Sequence, residues 1–138
     1  MEKKFEFLEH TADIKFRAFG KTLEEVFENS ALAMLNIIYK GKVKEEKKLK
    51  IKANGKDIES LLYNFLEEFL FLFDSENFLL SDVKNIKINE KNFTAEAEVV
   101  GDDVINYKTS VHVKAITYNE MYIKKTKKGW EAQVVVDV

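Results

Sequence analysis

The sequence predicts an α+β fold: a largely antiparallel sheet with two main helices packed on one side, forming a single domain over residues 1–138. Three observations predict it. Two stretches, about 22–39 and 58–73, repeat apolar residues at helical spacing. Most of the remaining chain alternates apolar and polar residues in short runs divided by turn residues. The order strand, strand, helix, strand, helix, then a run of strands lacks the regular alternation that builds a parallel sheet. A length of 138 residues and a mass of 16.1 kDa fit one domain, large enough to bury roughly two-thirds of its unfolded surface.

Residues 5–8 and 14–19 read as strands, with Ile14, Phe16 and Ala18 on one face, Lys15 and Arg17 on the other, and Gly20 as the stop. Thr22 and Glu25 have capping-box spacing, and Leu23, Val26, Phe27, Ser30, Ala31, Met34, Leu35 and Ile38 line one face of the helix that follows. In the lysine-rich stretch from Lys40 to Asn54, Leu49, Ile51 and Ala53 alternate with Lys48, Lys50 and Lys52. That is the pattern of an edge strand protected by charge. Asn54-Gly55 signals a turn. From Ile58 to Phe73 the apolar positions make a helical face so broad that the helix is either covered on more than one side or offers a surface to a partner. After a loop through Asp74-Ser75-Glu76-Asn77, strands are expected at Val83–Ile88, Phe93–Val100, Val111–Ile116, Met121–Lys125 and Trp130–Val136. Asn89-Glu90-Lys91-Asn92 and Lys127-Lys128-Gly129 supply hairpin turns.

Composition narrows the function. Twenty-two Lys and Arg against 24 Asp and Glu give a formal charge of −2, which argues against a protein whose main task is to neutralise many phosphates. Arg17 is the only arginine, so bidentate guanidinium recognition has little material. Without cysteine there is no disulfide, thiolate metal site or cysteine nucleophile. Met1-Glu2-Lys3-Lys4-Phe5 lacks the apolar core of a signal peptide, and no stretch reaches the ~18 uninterrupted apolar residues of a membrane span. A soluble cytoplasmic protein with no membrane partner is expected. No GxSxG, P-loop, GxGxxG or HExxH pattern occurs, and five glycines leave little for a phosphate cradle.

The chemistry-bearing residues lie near the two ends of the chain. The last nine residues, Trp130 to Val138, form an apolar strand-like run with Asp137 next to last and a free carboxylate on Val138. Burying either charge uncompensated would be costly, so a partner cation is expected. Asp13 stands where one apolar run gives way to another. If the two strands are neighbours, Asp13, Asp137 and the Val138 carboxylate make an oxygen cluster suited to calcium or magnesium and unsuited to zinc. Each Asp could equally have a lysine partner or cap a turn. His10, three residues before Asp13, is either a hydrogen-bond partner that orients it or a plain loop residue. In strict alternation Lys114 shares a face with His112 and Ile116, where it could serve as a counter-ion or meet a phosphate.

Glu9-His10-Thr11-Ala12-Asp13-Ile14, Val113-Lys114-Ala115-Ile116-Thr117-Tyr118 and the closing Val136-Asp137-Val138 resemble the three signature segments of the archease family. They occur in the family's order and spacing, from end to end of the chain. The family pattern commonly has His after the Thr-Tyr pair, where this chain has Asn119. The resemblance implies that Asp13 and Asp137 are metal ligands, with calcium or another hard divalent cation as the cofactor, and that Lys114 is functional. It also implies an accessory protein, with no catalysis of its own, for the RtcB-type RNA ligase that joins tRNA exon halves in tRNA splicing. Such an activator promotes guanylylation of the ligase, restores it for multiple turnover and relaxes its nucleotide preference, reaching the tRNA halves only through the ligase. The same residues would also suit a small stand-alone metal-dependent hydrolase, with Asp13 and Asp137 holding a cation that activates water and His10 or Lys114 as acid or base. A third reading is an RNA-binding or chaperone-like module using Lys40–Lys56.

Overall fold

A computed structural model describes residues 3–8 and 13–138. Seven strands and two helices follow in the order β1 (Phe5–Leu8), β2 (Ile14–Gly20), α1 (Leu23–Ile38), β3 (Lys47–Asn54), α2 (Ile58–Glu76), β4 (Phe78–Asn89), β5 (Thr94–Asp103), β6 (Ala115–Thr126) and β7 (Gly129–Asp137), with a 3-10 turn at Val104–Asn106. The α+β class is as expected, and every strand pairing is antiparallel. The strands divide into two sheets, one ordered β1-β2-β7-β6 and the other β3-β5-β4. Both helices pack against both sheets.

The helices form where local chemistry favours them. The Thr22 hydroxyl accepts the Glu25 N–H at 3.1 Å, capping α1. Asp57 and Ser60 make a reciprocal capping box on α2. The inward faces meet at Phe27 and Phe65, both fully buried with ring centres 5.3 Å apart. Among the described residues no helix is long and apolar enough to cross a membrane.

Three local expectations are corrected. α2 continues through Asp74, Ser75 and Glu76 and stops at Asn77, whose left-handed backbone (φ 53°) supplies the cap. β4 starts at Phe78, because Phe78, Leu79 and Leu80 are buried and pair with β5. The two strands expected at 111–116 and 121–125 are one strand, β6, interrupted by a bulge, and residues 111–114 precede it. β6 is also the edge of its sheet, and Lys114, expected inside the 111–116 strand, lies one residue before it. β3 is an edge strand with Lys48, Lys50 and Lys52 exposed, as expected. Lys48 and Lys52 reach Glu98 and Glu96 of β5 at 2.6 and 3.7 Å, so two of the lysines on which the third, RNA-binding reading relied are engaged within the sheet.

Candidate functional site

Three strand ends meet at one margin of the four-stranded sheet. β7 lies between β2 and β6. Pairing sets Ile14 opposite Val136 on one side and Ala115 opposite Asp137 on the other. Asp13, one residue before Ile14, therefore adjoins Asp137, and Lys114, one residue before Ala115, adjoins Val138. The Lys114 main-chain N–H donates to the Asp137 carbonyl oxygen at 2.8 Å, extending the β6–β7 ladder past the end of β6. Asp137 and Lys114 are exposed, while Asp13 and Val138 are half-buried and Val138 packs against the core.

The expected face of Lys114 is corrected. Val113 and Ile116, three residues apart, are both buried, which breaks the strict alternation that would set Lys114 beside His112 and Ile116. His112 instead turns toward α2, with Nε2 3.5 Å from Asp74 Oδ1. His10 lies outside the described residues.

Exposure also removes one argument for a cation. The Asp137 carboxylate stands in water, so burial does not demand a compensating charge there. What remains is donor chemistry: two carboxylates and main-chain oxygens on adjoining strand ends, a hard-oxygen set that fits calcium or magnesium. Among the described residues no three His, Cys, Asp or Glu side chains gather as a metal-holding group. The set therefore fits a hard cation only as a partial shell, completed by main-chain oxygens, water or groups from a partner.

Next to this margin the sequence reading missed a bulge and its anchors. Thr117 pairs with Val135 and Tyr122 with Gln133, so Tyr118, Asn119, Glu120 and Met121 stand where β7 has only Val134. Glu120 takes a left-handed backbone, φ 54°. The Thr117 hydroxyl donates to the Val135 carbonyl at 2.9 Å. Gln133, buried in β7, donates from Nε2 to the Glu120 carbonyl at 2.8 Å and accepts Arg17 Nε–H at 2.9 Å. Lys15, on the opposite side of β7, reaches Glu120 Oε1 at 3.3 Å. Tyr118 stacks on Tyr63 of α2 with ring centres 4.2 Å apart and planes 10° from parallel. One signal pointed to the anchor: Gln133 is the single glutamine of the chain, inside an otherwise apolar run.

A broad groove of about 860 Å³ lies elsewhere, lined by Gly20, Glu28, Trp130 and Lys128 among others. Gly20 pairs with Trp130 at the far end of the β2–β7 ladder from Ile14 and Val136. Its lining mixes four lysines with four glutamates. The candidate site is the strand-end margin, where Asp13, Lys114 and Asp137 adjoin, and not this groove.

The model of the archease protein family matches residues 5–138. The archease of Methanosarcina barkeri is 43% identical over 141 residues, covering 99% of this chain and 97% of its own. That of Pyrococcus abyssi is 40% identical over 141 residues, covering 99% of each. The solution structure of a Methanobacterium thermoautotrophicum protein superposes with a TM-score of 0.76 at 33% identity, covering 98% of this chain and 99% of that one. The crystal structure of an archease from Thermotoga maritima, described as a possible chaperone, gives a TM-score of 0.65 at 20% identity over 100% of this chain and 98% of that one. That second likeness speaks for the fold alone.

Proposed function

The chain belongs to the archease family, and from that premise we propose that it is an accessory activator of an RtcB-type tRNA-splicing RNA ligase. In this reading it promotes guanylylation of the ligase and its multiple turnover, and broadens the nucleotides the ligase accepts. The observation that carries the reading is the meeting of Asp13, Lys114 and Asp137, one from each signature segment, at a single margin of the sheet.

The acidic margin docks at the ligase's nucleotide and metal site. Asp13, Asp137 and the main-chain oxygens of Val138 would hold calcium or another hard divalent cation, which supplies positive charge for phosphate oxygens when bound. Lys114, exposed and held by its own main chain, presents an ammonium to a phosphate oxygen at the same margin. The contribution is positioning and charge; bond making stays with the ligase.

The test is multiple-turnover RNA ligation by the cognate ligase with GTP and divalent metal, with and without this protein at substoichiometric concentration. Many turnovers only in its presence are expected. Ligation unaffected by the protein would sink the activator reading, and phosphoester turnover without any ligase would replace it with the stand-alone hydrolase.

A further inference from the structure

α2 carries a stripe that starts at the half-buried Tyr63, packed against the core, and runs outward into solvent. Tyr63, Glu67, Phe71 and Asp74 recur at i, i+4, i+8 and i+11, which keeps them on one side of the helix over roughly 16 Å. Phe71 is 55% exposed, and Glu67 and Asp74 are exposed. Tyr118 of the β6 bulge joins the stripe by stacking on Tyr63 and is itself 54% exposed. Beyond the Tyr63–Tyr118 stack, Phe71 is the part of the broad apolar face of α2 left open to solvent.

The stripe is negative as well as aromatic. Burial first, and then the charge of Glu67, raise the phenol pKa of Tyr63 above its ordinary value; Tyr118 is raised by burial, Asp57 and Glu67 in that order. Both rings thus stand among carboxylates and remain neutral at physiological pH. An aromatic face beside carboxylates attracts a cation, and a planar guanidinium can stack on the ring while pairing with a carboxylate. An RNA strand or a nucleotide would instead bring phosphates toward Asp57, Glu67 and Asp74.

We propose that Tyr118, Glu67 and Phe71 form a docking stripe for a basic and apolar segment of the ligase, an arginine lying on Tyr118 and pairing with Glu67 and an apolar side chain covering Phe71. The inference rests on the activator reading for the partner's identity. The stack on Tyr63 already orders Tyr118, so little side-chain freedom is lost on docking. Tyr and Phe on a rigid helix are the residue types that anchor protein interfaces. The bulge that carries Tyr118 adjoins the acidic margin, so one partner can touch both.

The experiment measures binding of the cognate ligase to the wild-type protein and to Glu67→Lys, Phe71→Ser and Tyr118→Ala, with thermal unfolding followed in parallel. Each variant should weaken binding at least tenfold, with Glu67→Lys the most affected and wild-type binding declining as salt rises. Glu67→Lys and Phe71→Ser change exposed side chains and should keep the wild-type unfolding midpoint, so the test does not depend on Tyr118→Ala folding. Binding of both within twofold of wild type would overturn the docking stripe and leave the activator reading standing. Wild-type protein that does not bind the ligase at all would overturn both. Glu67→Lys that tightens binding to RNA alone, with ligase binding unchanged, would assign the stripe to nucleic acid and also overturn the inference.

Discussion

Lys114 and Asp137 are joined through their main chains, the Lys114 N–H donating to the Asp137 carbonyl at 2.8 Å, while both side chains remain exposed. The ladder thus fixes where the two charges stand without using them. Asp137→Asn should therefore leave thermal unfolding within a few degrees of wild type and lower stimulation of RNA ligation at least tenfold. Circular dichroism and multiple-turnover ligation check the two halves. A variant that fails to fold would make the carboxylate a structural staple and remove the main support for its proposed role.

Calcium binding offers a readout without the ligase. A ligand that binds only the folded chain stabilises it by about 2.7 kcal/mol at a hundred times its Kd. Added calcium should raise the unfolding midpoint of the wild-type protein and leave that of Asp137→Asn nearly unmoved, because the variant loses one of the two carboxylates. Equal shifts in both proteins would place any bound calcium elsewhere.

Sequence pattern exposes helices and strands whose two faces differ, and it fails where the chain breaks its own period. α1 was legible because Leu23, Val26, Phe27, Ala31 and Met34 recur at helical spacing behind a Thr22 cap. β6 was not, because four bulge residues stand opposite one, and the buried pair Val113 and Ile116 breaks the alternation across its start. The end of α2 was misplaced since Asp74, Ser75 and Glu76 look like loop residues, whereas the stop is set by the backbone of Asn77. Asp13 and Asp137 could be singled out as unusual acids, but their adjacency is a matter of strand register, which periodicity does not encode. The stack of Tyr118 on Tyr63 is likewise tertiary, and nothing local to either segment announces it.

Tyr122 should give the fold an alkaline limit. Its hydroxyl donates to Glu131 Oε2, and its pKa is pushed up to about 12 by burial first, then by that bond and the Glu131 charge. An unfolded tyrosine titrates near 10, so the folded chain holds this proton more tightly than the unfolded one. The resulting stability is complete below about pH 10 and is lost as pH rises through about 12. Glu131→Gln removes the negative charge, so its urea midpoint should fall less between pH 8 and pH 11 than that of the wild type. An equal fall in both proteins would deny Glu131 this role.

Gln133 is the hinge pin of the β6 bulge, taking Arg17 Nε–H at one end of its amide and giving Nε2–H to the Glu120 carbonyl at the other. It is only 5% exposed, so water cannot readily replace both bonds. Gln133→Leu keeps a similar volume and loses them, at a cost of about 1–3 kcal/mol for stranded polar partners, measurable as a lower urea midpoint. The register from Ala115 to Thr117 is set by pairing with β7 and does not depend on the amide. Hydrogen exchange should therefore speed up at 118–122 while the Lys114 amide, bonded to Asp137, keeps its protection. If the bulge carries Tyr118 to the docking stripe, the same variant should also weaken ligase binding. Unchanged exchange at 118–122 would show that the bulge is held by its ladder contacts and the Lys15–Glu120 pair without the glutamine.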